Sequence, residues 1–370
     1  MGSFRVLSDK AVHDILIDLP RADILGLRDT LAQCLVDFST GQERRHQPAA
    51  GIVNRPEGQR CLFRPFTSAT SVGTKLIVQP APSSSLRGLH GVLALCDQHG
   101  LPAGVLNAGE VTGYRTSMSA IIPWLWRRRT DNIVVFGAGT QALWHLRLAL
   151  ALRGDEIRSV SVVNRSADRA AQMIETLRVE NEARWKSAAT IEYVDPSRPD
   201  YDAWLESNLA VADAVFCTVA TTAPLFPSRY VTGEQRERQP YVSAVGSWQP
   251  TMIELDPSLL QHAAGRVDHG FRWAEGSGGG GGAVLVDDRE GALQHAGEVV
   301  ESKLGAENLA ELGQVEELRR RADNPELLRW LEDGLLVYKS IGVSMTDLAA
   351  GNAILALAEK RGVGITIPEF

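Results

Sequence analysis

The sequence predicts an α/β protein of two domains, one of them built on a parallel sheet. Three observations point there. From Ile133 onward, short apolar strands alternate with helical segments, a pattern that needs crossover connections and therefore a parallel sheet. A glycine-rich turn, Gly137-Ala138-Gly139-Thr140-Gln141-Ala142, separates one such strand from the helix after it. Residues 61–113 have a different texture, strands broken by turns, which reads as a meander in the other domain. A chain of 370 residues has room for both, at roughly 100–200 residues per domain.

Residues 7–37 read as helical. Ser8 is a candidate cap, Asp18-Leu19-Pro20 is a break, and Ile24, Leu27, Leu31 and Leu35 then recur at helical spacing. Residues 40–60, rich in Gln, Arg, Pro and Gly, read as a loop with room for an edge strand. Strands are expected at 61–63, 74–78 and 91–96, with a turn at Asp97-Gln98-His99-Gly100 leading into 102–106. A helix over 115–129 precedes the alternating series: strand 133–136, helix 141–152, strand 159–163, helix 168–179, then strands at 191–194, 214–217 and 241–245. The low-complexity stretch 276–282 reads as a flexible surface loop. Asn324 and Pro325 form a helix start, followed by a strand at 335–340 and a long helix from 346 to about 360.

Composition removes several function classes. An apolar content of 44% with 22% charged residues is globular, and a net charge of −7 disfavours nucleic acid and anionic membranes as partners. The one basic run, Arg127-Arg128-Arg129, reads as a solvated loop. The four cysteines form no CxxC pair, as expected of reduced thiols in a cytoplasmic protein. Neither a signal peptide nor a membrane span is expected. The eight histidines fall in no metal-binding spacing, and no metal is expected. Asp287-Asp288, after an apolar stretch, is either a metal site or a loop cap.

The glycine turn carries the chemistry. It is a GxGxxA fingerprint in strand–turn–helix context, the mark of a Rossmann dinucleotide-binding domain. Gly137 permits the tight turn, Gly139 lets the backbone approach a pyrophosphate, and Ala142 allows close helix–strand packing. The phosphates would sit on the free N–H groups of the helix start, around Ala138, Thr140 and Gln141. At the end of the next strand, an NAD-preferring site places an acid on the ribose. Here stand Asn164, Arg165 and Ser166, which suit a 2′-phosphate, so NADPH/NADP+ is the expected cofactor.

Four further segments surround the fingerprint: Thr112-Gly113-Tyr114-Arg115-Thr116-Ser117; Ala244-Val245-Gly246-Ser247-Trp248-Gln249-Pro250 with Glu254-Leu255-Asp256; Leu312-Gly313-Gln314-Val315; and Lys339-Ser340-Ile341-Gly342 with Asp347. In order and spacing, the set resembles the ornithine cyclodeaminase/mu-crystallin family, from about Phe63 to the C-terminus. The resemblance implies a Rossmann domain at 117–334 inserted in a discontinuous α+β substrate and dimerisation domain, 1–116 plus 335–370, and a homodimer. It implies hydride exchange between a nicotinamide and a carbon bonded to nitrogen. Arg115 and Thr116 match the family's Arg-Thr, near the cofactor phosphates, with the arginine also close to the substrate carboxylate. A buried structural ion pair is the alternative for Arg115. Lys75 matches the family's active-site lysine and either faces a polar pocket or snorkels to water. Thr218, Val219, Gly246 and Ser340 complete the cofactor candidates.

Two departures from the family bear on the substrate. Where cyclodeaminases carry an acid that handles the substrate amine, this chain has Trp248, which cannot act as a base but can line a pocket. Where relatives carry a carboxylate-binding arginine after a Gln-Pro pair, Gln47-Pro48 is followed by Ala49-Ala50, leaving Arg44, Arg45 or Arg64 as substitutes. The first reading is therefore an NADPH-dependent imine or ketimine reductase acting on a small molecule, with Lys75, Arg115 and Trp248 at its substrate. An amino-acid or N-substituted amino-acid dehydrogenase, and an NADPH-dependent binding protein without turnover, are the alternatives.

Overall fold

The structure is a computed structural model and describes residues 4–86, 88–233, 236, 238–273 and 281–370. Two compact units emerge: residues 1–115 with 343–370, and residues 116–342.

The first unit opens with β1 (Phe4–Leu7), α1 (Asp9–Ile17) and α2 (Arg21–Thr40). The Ser8 side chain accepts from the Ala11 N–H, capping α1 as the sequence implies, and α2 buries Ile24, Leu27, Leu31 and Leu35. The meander follows: β2 (Gly51–Asn54), β3 (Arg60–Thr67), β4 (Ser71–Gln79), β5 (His90–Asp97) and β6 (Pro102–Asn107). Helix α3 (Ala108–Trp124) starts seven residues before the helix expected at 115–129, and the division between the units falls within it.

The second unit continues with β7 (Asn132–Phe136), α4 (Thr140–Arg153), β8 (Ser159–Val163), α5 (Ala167–Glu180), β9 (Thr190–Val194), α6 (Tyr201–Val211), β10 (Ala214–Cys217) and β11 (Tyr241–Ala244). Then come α7 (Pro257–Gly265), β12 (Val284–Val286), α8 (Arg289–His295), α9 (Gly297–Ser302), β13 (Leu309–Glu311), α10 (Leu312–Arg321), α11 (Pro325–Asp333) and β14 (Leu336–Lys339). The chain returns to the first unit with α12 (Ser344–Arg361) and β15 (Ile365–Ile367).

Among the described residues, the first unit's sheet runs β15-β1-β6-β5-β4-β3-β2, antiparallel except where β1 meets β6. Helix α12 packs across β3, β4 and β5, and α2 packs on α12. Register places Arg64, Lys75 and Leu93 side by side on one face of this sheet, since paired residues share a face. The other face carries Val53, Phe63, Val72 and Val92, exposed by 45%, 46%, 37% and 43%.

The second unit's sheet is parallel throughout, in the order β13-β12-β14-β11-β10-β7-β8-β9. Its last six strands follow the doubly wound Rossmann order, with the reversal between β7 and β10. Val134, Phe136, Val215, Val242 and Val337 lie in one buried cluster on that sheet.

The return to the first unit, expected at residue 335, occurs at 343. The strand at Leu336–Lys339 pairs in parallel with β11 and β12, so it completes the Rossmann sheet instead of the other one. The expected loop at 276–282 lies outside the described residues apart from Gly281 and Gly282, where the Gly282 N–H donates to the Arg266 carbonyl.

Candidate active site

In open parallel sheets, ligands sit beyond the C-terminal ends of the strands where the strand order reverses. In the second unit that place is bordered by the turns after β7 and β10. Gly137 has φ +112°, a conformation that side chains disfavour, and a Cβ there would come within 2.5 Å of Thr218 Oγ1. Thr218 Oγ1 itself donates to the Phe136 carbonyl at 2.7 Å, locking the two turns together. Helix α4 begins at Gly139 with no side-chain cap, and nothing lies within 4 Å of a Cβ built on that glycine. Gly139 and Thr140 are exposed. Open N–H groups at a helix start above a tight glycine turn fit the pyrophosphate of a dinucleotide.

After β8, Arg165 is exposed. Asn164 donates from Nδ2 to the Ser166 carbonyl at 2.8 Å, and Ser166 caps α5 by accepting from the Arg169 N–H. Two of the three expected 2′-phosphate residues thus shape the turn, and the guanidinium is the group that reaches solvent.

A buried network that the sequence did not announce organises the next two turns. The Glu254 carboxylate accepts from the N–H groups of Val219 at 2.7 Å, Gly246 at 2.6 Å and Ser247 at 3.1 Å. The backbone of Gly246 passes so close to this carboxylate that a Cβ would lie 2.7 Å from Oε1. Lys339, at the end of β14, donates to the Ser247 carbonyl and hydroxyl, each at 2.6 Å, and its Nζ stands 3.3 Å from Glu298. Ser247 Oγ in turn donates to Glu298 at 2.8 Å. Burial pushes the Glu254 carboxyl up to about 7, against the pull of Lys339 and the backbone N–H groups. Trp248 follows directly, half-buried. Asp287 accepts from the Ser340 hydroxyl at 2.7 Å and from the N–H groups of Ile341 and Gly342, the loop-cap alternative raised for it. Ser340, expected at the cofactor, therefore spends its hydroxyl on this cap.

In the first unit, Lys75 is 1% exposed and does not snorkel. Its Nζ donates to Asp347 Oδ1 at 2.9 Å, and Arg115 Nε donates to the same oxygen at 2.9 Å. Asp347, in the first turn of α12, is fully buried. Burial lowers the Lys75 pKa to about 7; Asp347 opposes the shift, while Arg115 and Arg64 add to it. Burial alone would raise the Asp347 carboxyl, but Arg115, Lys75 and Arg64 hold it down at about 2. Arg115 thus has the buried ion pair that was its alternative reading, and it shares that partner with Lys75. Thr116 and Ser117 are buried at the start of the second unit, where Ser117 Oγ lies 2.9 Å from His145 Nδ1.

No protein-family model matches the chain. Curated relatives do. A Δ1-pyrroline-2-carboxylate reductase of Bacillus cereus is 25% identical over 350 residues, 90% of this chain and 92% of that protein. Mouse ketimine reductase mu-crystallin is 24% identical over 265 residues, 71% of this chain and 67% of the relative. The fold matches the solved Thermococcus litoralis Δ1-pyrroline-2-carboxylate reductase, in complex with NADH and L-proline, at a TM-score of 0.74 with 15% identity, covering 98% of this chain and all of that one. The chain is thus similar in sequence to imine and ketimine reductases and shares its fold with a solved one.

Of the family positions read from sequence, the structure gathers Gly137, Thr218, Val219 and Gly246 around the C-terminal ends of β7, β10 and β11. It gathers Lys75 and Arg115 at the start of α12. It adds Asp347, Glu254 and Lys339, which were quoted within segments but given no role. Among the described residues, no cluster of His, Cys, Asp and Glu is suited to a metal, and no helix is long and apolar enough to cross a membrane.

Proposed function

We propose that the protein reduces the C=N bond of a small cyclic imine or ketimine bearing a carboxylate, with NADPH as reductant. The observation that carries this reading is the buried pair Lys75 and Arg115 held on a single carboxylate. An ammonium and a guanidinium that meet on one carboxylate oxygen are the donor types that also bind a substrate carboxylate. The pyrroline-2-carboxylate and ketimine reductases among the relatives support the choice of bond.

The turn at Gly137–Gln141 would hold the pyrophosphate, and Thr218, Val219 and Gly246 would border the nicotinamide end. When bound, the reduced nicotinamide supplies a hydride to the imine carbon. The chain's own work is to orient the imine and deliver a proton to its nitrogen. Lys75, with its pKa brought down to about 7, is a competent proton donor near neutrality. Glu254 and Lys339 act as positioning residues through the turns they tie down.

The choice of NADPH rests on Arg165 at the end of β8, where no acid stands. Arg165→Ala is expected to raise the KM for NADPH about 10–100-fold while changing that for NADH little, because the charge-assisted bonds to a 2′-phosphate are lost. An unchanged NADPH-to-NADH ratio would remove Arg165 from the site. The direct test of the reading is loss of nicotinamide absorbance with pyrroline- and piperideine-carboxylates. Tight NADPH binding without turnover of any imine would favour a binding protein, and turnover only of amino acids with NADP+ would favour a dehydrogenase.

A homodimer is part of the same proposal. The apolar face bearing Val53, Phe63, Val72 and Val92 is a surface of the kind that associates. Phe63→Glu is expected to convert a dimer to monomer in sedimentation; a parent chain that already sediments as a monomer would refute it. The four cysteines are free thiols, in keeping with a cytoplasmic setting.

A further inference from the structure

The far half of α12, away from Asp347, borders a cleft of the first unit. Asn352, Leu355 and Glu359 recur at helical spacing and line it, and Arg5 of β1, Asp97 at the end of β5 and Leu101 just after it complete the wall. Its volume is about 360 Å³, inside the range of about 300–1,000 Å³ usual for small-molecule sites. Register sets Arg5, Gly104 and Leu95 side by side, with Arg5 on the face that α12 covers. The helix comes close to the sheet there: a Cβ built on Gly104 would lie 2.8 Å from Leu355 Cδ2.

The polar groups of this cleft are only partly used by the protein. Arg5 is 9% exposed, yet among the described residues it makes one hydrogen bond, from Nη1 to the Val363 carbonyl at 2.7 Å, just past the end of α12. Its Nε and Nη2 meet no acceptor among those residues. Asp97 spends Oδ1 on the N–H groups of His99 at 2.8 Å and Leu101 at 2.9 Å, and its Oδ2 accepts no bond among the described residues. Asn352 donates from Nδ2 to Ser71 Oγ at 2.8 Å, which leaves Oδ1 as an acceptor. Glu359 is exposed. A mostly covered guanidinium with donors to spare has lost hydration, and an anionic group brought beside it offsets that loss. A simple anion would also meet Asp97 and Glu359, and a simple cation would meet Arg5. A ligand that carries both charges pairs with each side.

We propose that this cleft is a second ligand site, which binds a small α-amino acid with its carboxylate on Arg5, its ammonium toward Asp97 and Glu359, and its side chain against Leu101 and Leu355. The paired N–H donors of a guanidinium match a carboxylate, and the two acids together with the Asn352 carbonyl match an ammonium. The site shares no residue with the Lys75–Arg115–Asp347 cluster, so it does not depend on which reaction that cluster serves.

The test is titration calorimetry of the full chain with glycine and L-valine, and with the two halves of valine: isovalerate, which lacks the ammonium, and isobutylamine, which lacks the carboxylate. L-valine is expected to bind, and each half to bind at least about 10-fold more weakly. Arg5→Met is expected to weaken L-valine about 10–100-fold. Glu359→Gln, at an exposed position, is expected to weaken it about 2–5-fold. Arg5 also holds the Val363 carbonyl, so Ala356→Trp serves as the second variant: Ala356 lines the same cleft and is exposed, and an indole there fills the space without touching the core. Ala356→Trp is expected to keep the parent's urea midpoint and lose L-valine. Binding of neither amino acid to the parent overturns the proposal, as does isovalerate or isobutylamine binding as tightly as L-valine. An Ala356→Trp protein that keeps the parent affinity puts the ligand elsewhere and overturns it too. None of these readouts uses turnover, so the reductase reading stands or falls separately.

Discussion

Asp347→Asn is expected to destabilise the first unit by about 3–5 kcal/mol, the usual effect of removing one side of a buried ion pair. Asparagine keeps the size and an oxygen at Oδ1, so packing against β3–β5 is retained. Its negative charge is not. Lys75 and Arg115, both buried, would then face each other with no anion between them. The measurement is the urea midpoint of the variant against the parent, with the slope compared to confirm that the same surface unfolds. A loss below about 1 kcal/mol would mean that the cluster is wetter than its burial indicates. The same ion pair predicts acid sensitivity. Asp347 is held at about 2 against an ordinary value of 3.8, so its contribution is complete above 3.8 and is lost as pH falls from there through about 2.

Lys75→Met is expected to do the opposite: spare the fold and remove the chemistry. It leaves Arg115 and Asp347 as a balanced pair and replaces a buried ammonium by an apolar chain of similar length, which is close to neutral for stability. Catalysis should fall about 10²–10⁴-fold in kcat/KM for a carboxylated imine, the range for loss of a positioned proton donor. The pH profile gives the sharper readout. Lys75 has its pKa at about 7, so the parent's activity should decline as pH rises through that value and the ammonium loses its proton. The variant should lack that limb while keeping any limb that belongs to the imine itself. A parent profile that stays flat to pH 9, or a variant that keeps the limb, would assign the proton to another group. Stability runs the other way over part of this range. Between about 7 and 10.5 the unfolded chain binds a proton at Lys75 that the folded chain does not, so stability rises with pH across that window.

The parts of the site legible in the sequence are those whose chemistry needs contiguous residues. Gly137 to Ala142 had to be neighbours in sequence, because one turn and one helix start would make the proposed phosphate cradle, and the strand before them was apolar enough to be read. Arg165, the proposed 2′-phosphate ligand, is readable for the same reason, two residues past the end of β8. Asp347 was not, since it meets Lys75 across 272 positions and Arg115 across 232, and a buried acid in the first turn of a helix looks like any helix-starting acid. Glu254 has the same disguise: it lies in a loop acid pair with Asp256, and only the fold brings the N–H groups of Val219 and Gly246 to it. The boundary at 343 was hidden because Leu336–Lys339 is an apolar strand that either sheet would accept. Helix α6 passed unread because its buried positions, Leu205 and Leu209, are few.

The path of the chain has a consequence for biosynthesis. Strand β1 leaves the ribosome first, yet it pairs with β15, the last strand made, and the helix that covers Lys75 lies between residues 344 and 361. Until that helix is translated, the early meander has no lid over its cations, and Lys75 and Arg115 remain hydrated and mutually repelling. The Rossmann unit, complete at residue 342, can fold while the earlier unit waits. Nascent chains stalled before position 344 should therefore bind dinucleotide while their first hundred residues stay open to protease, and a truncation of the final helix should strand the substrate half unfinished however sound the nucleotide half is.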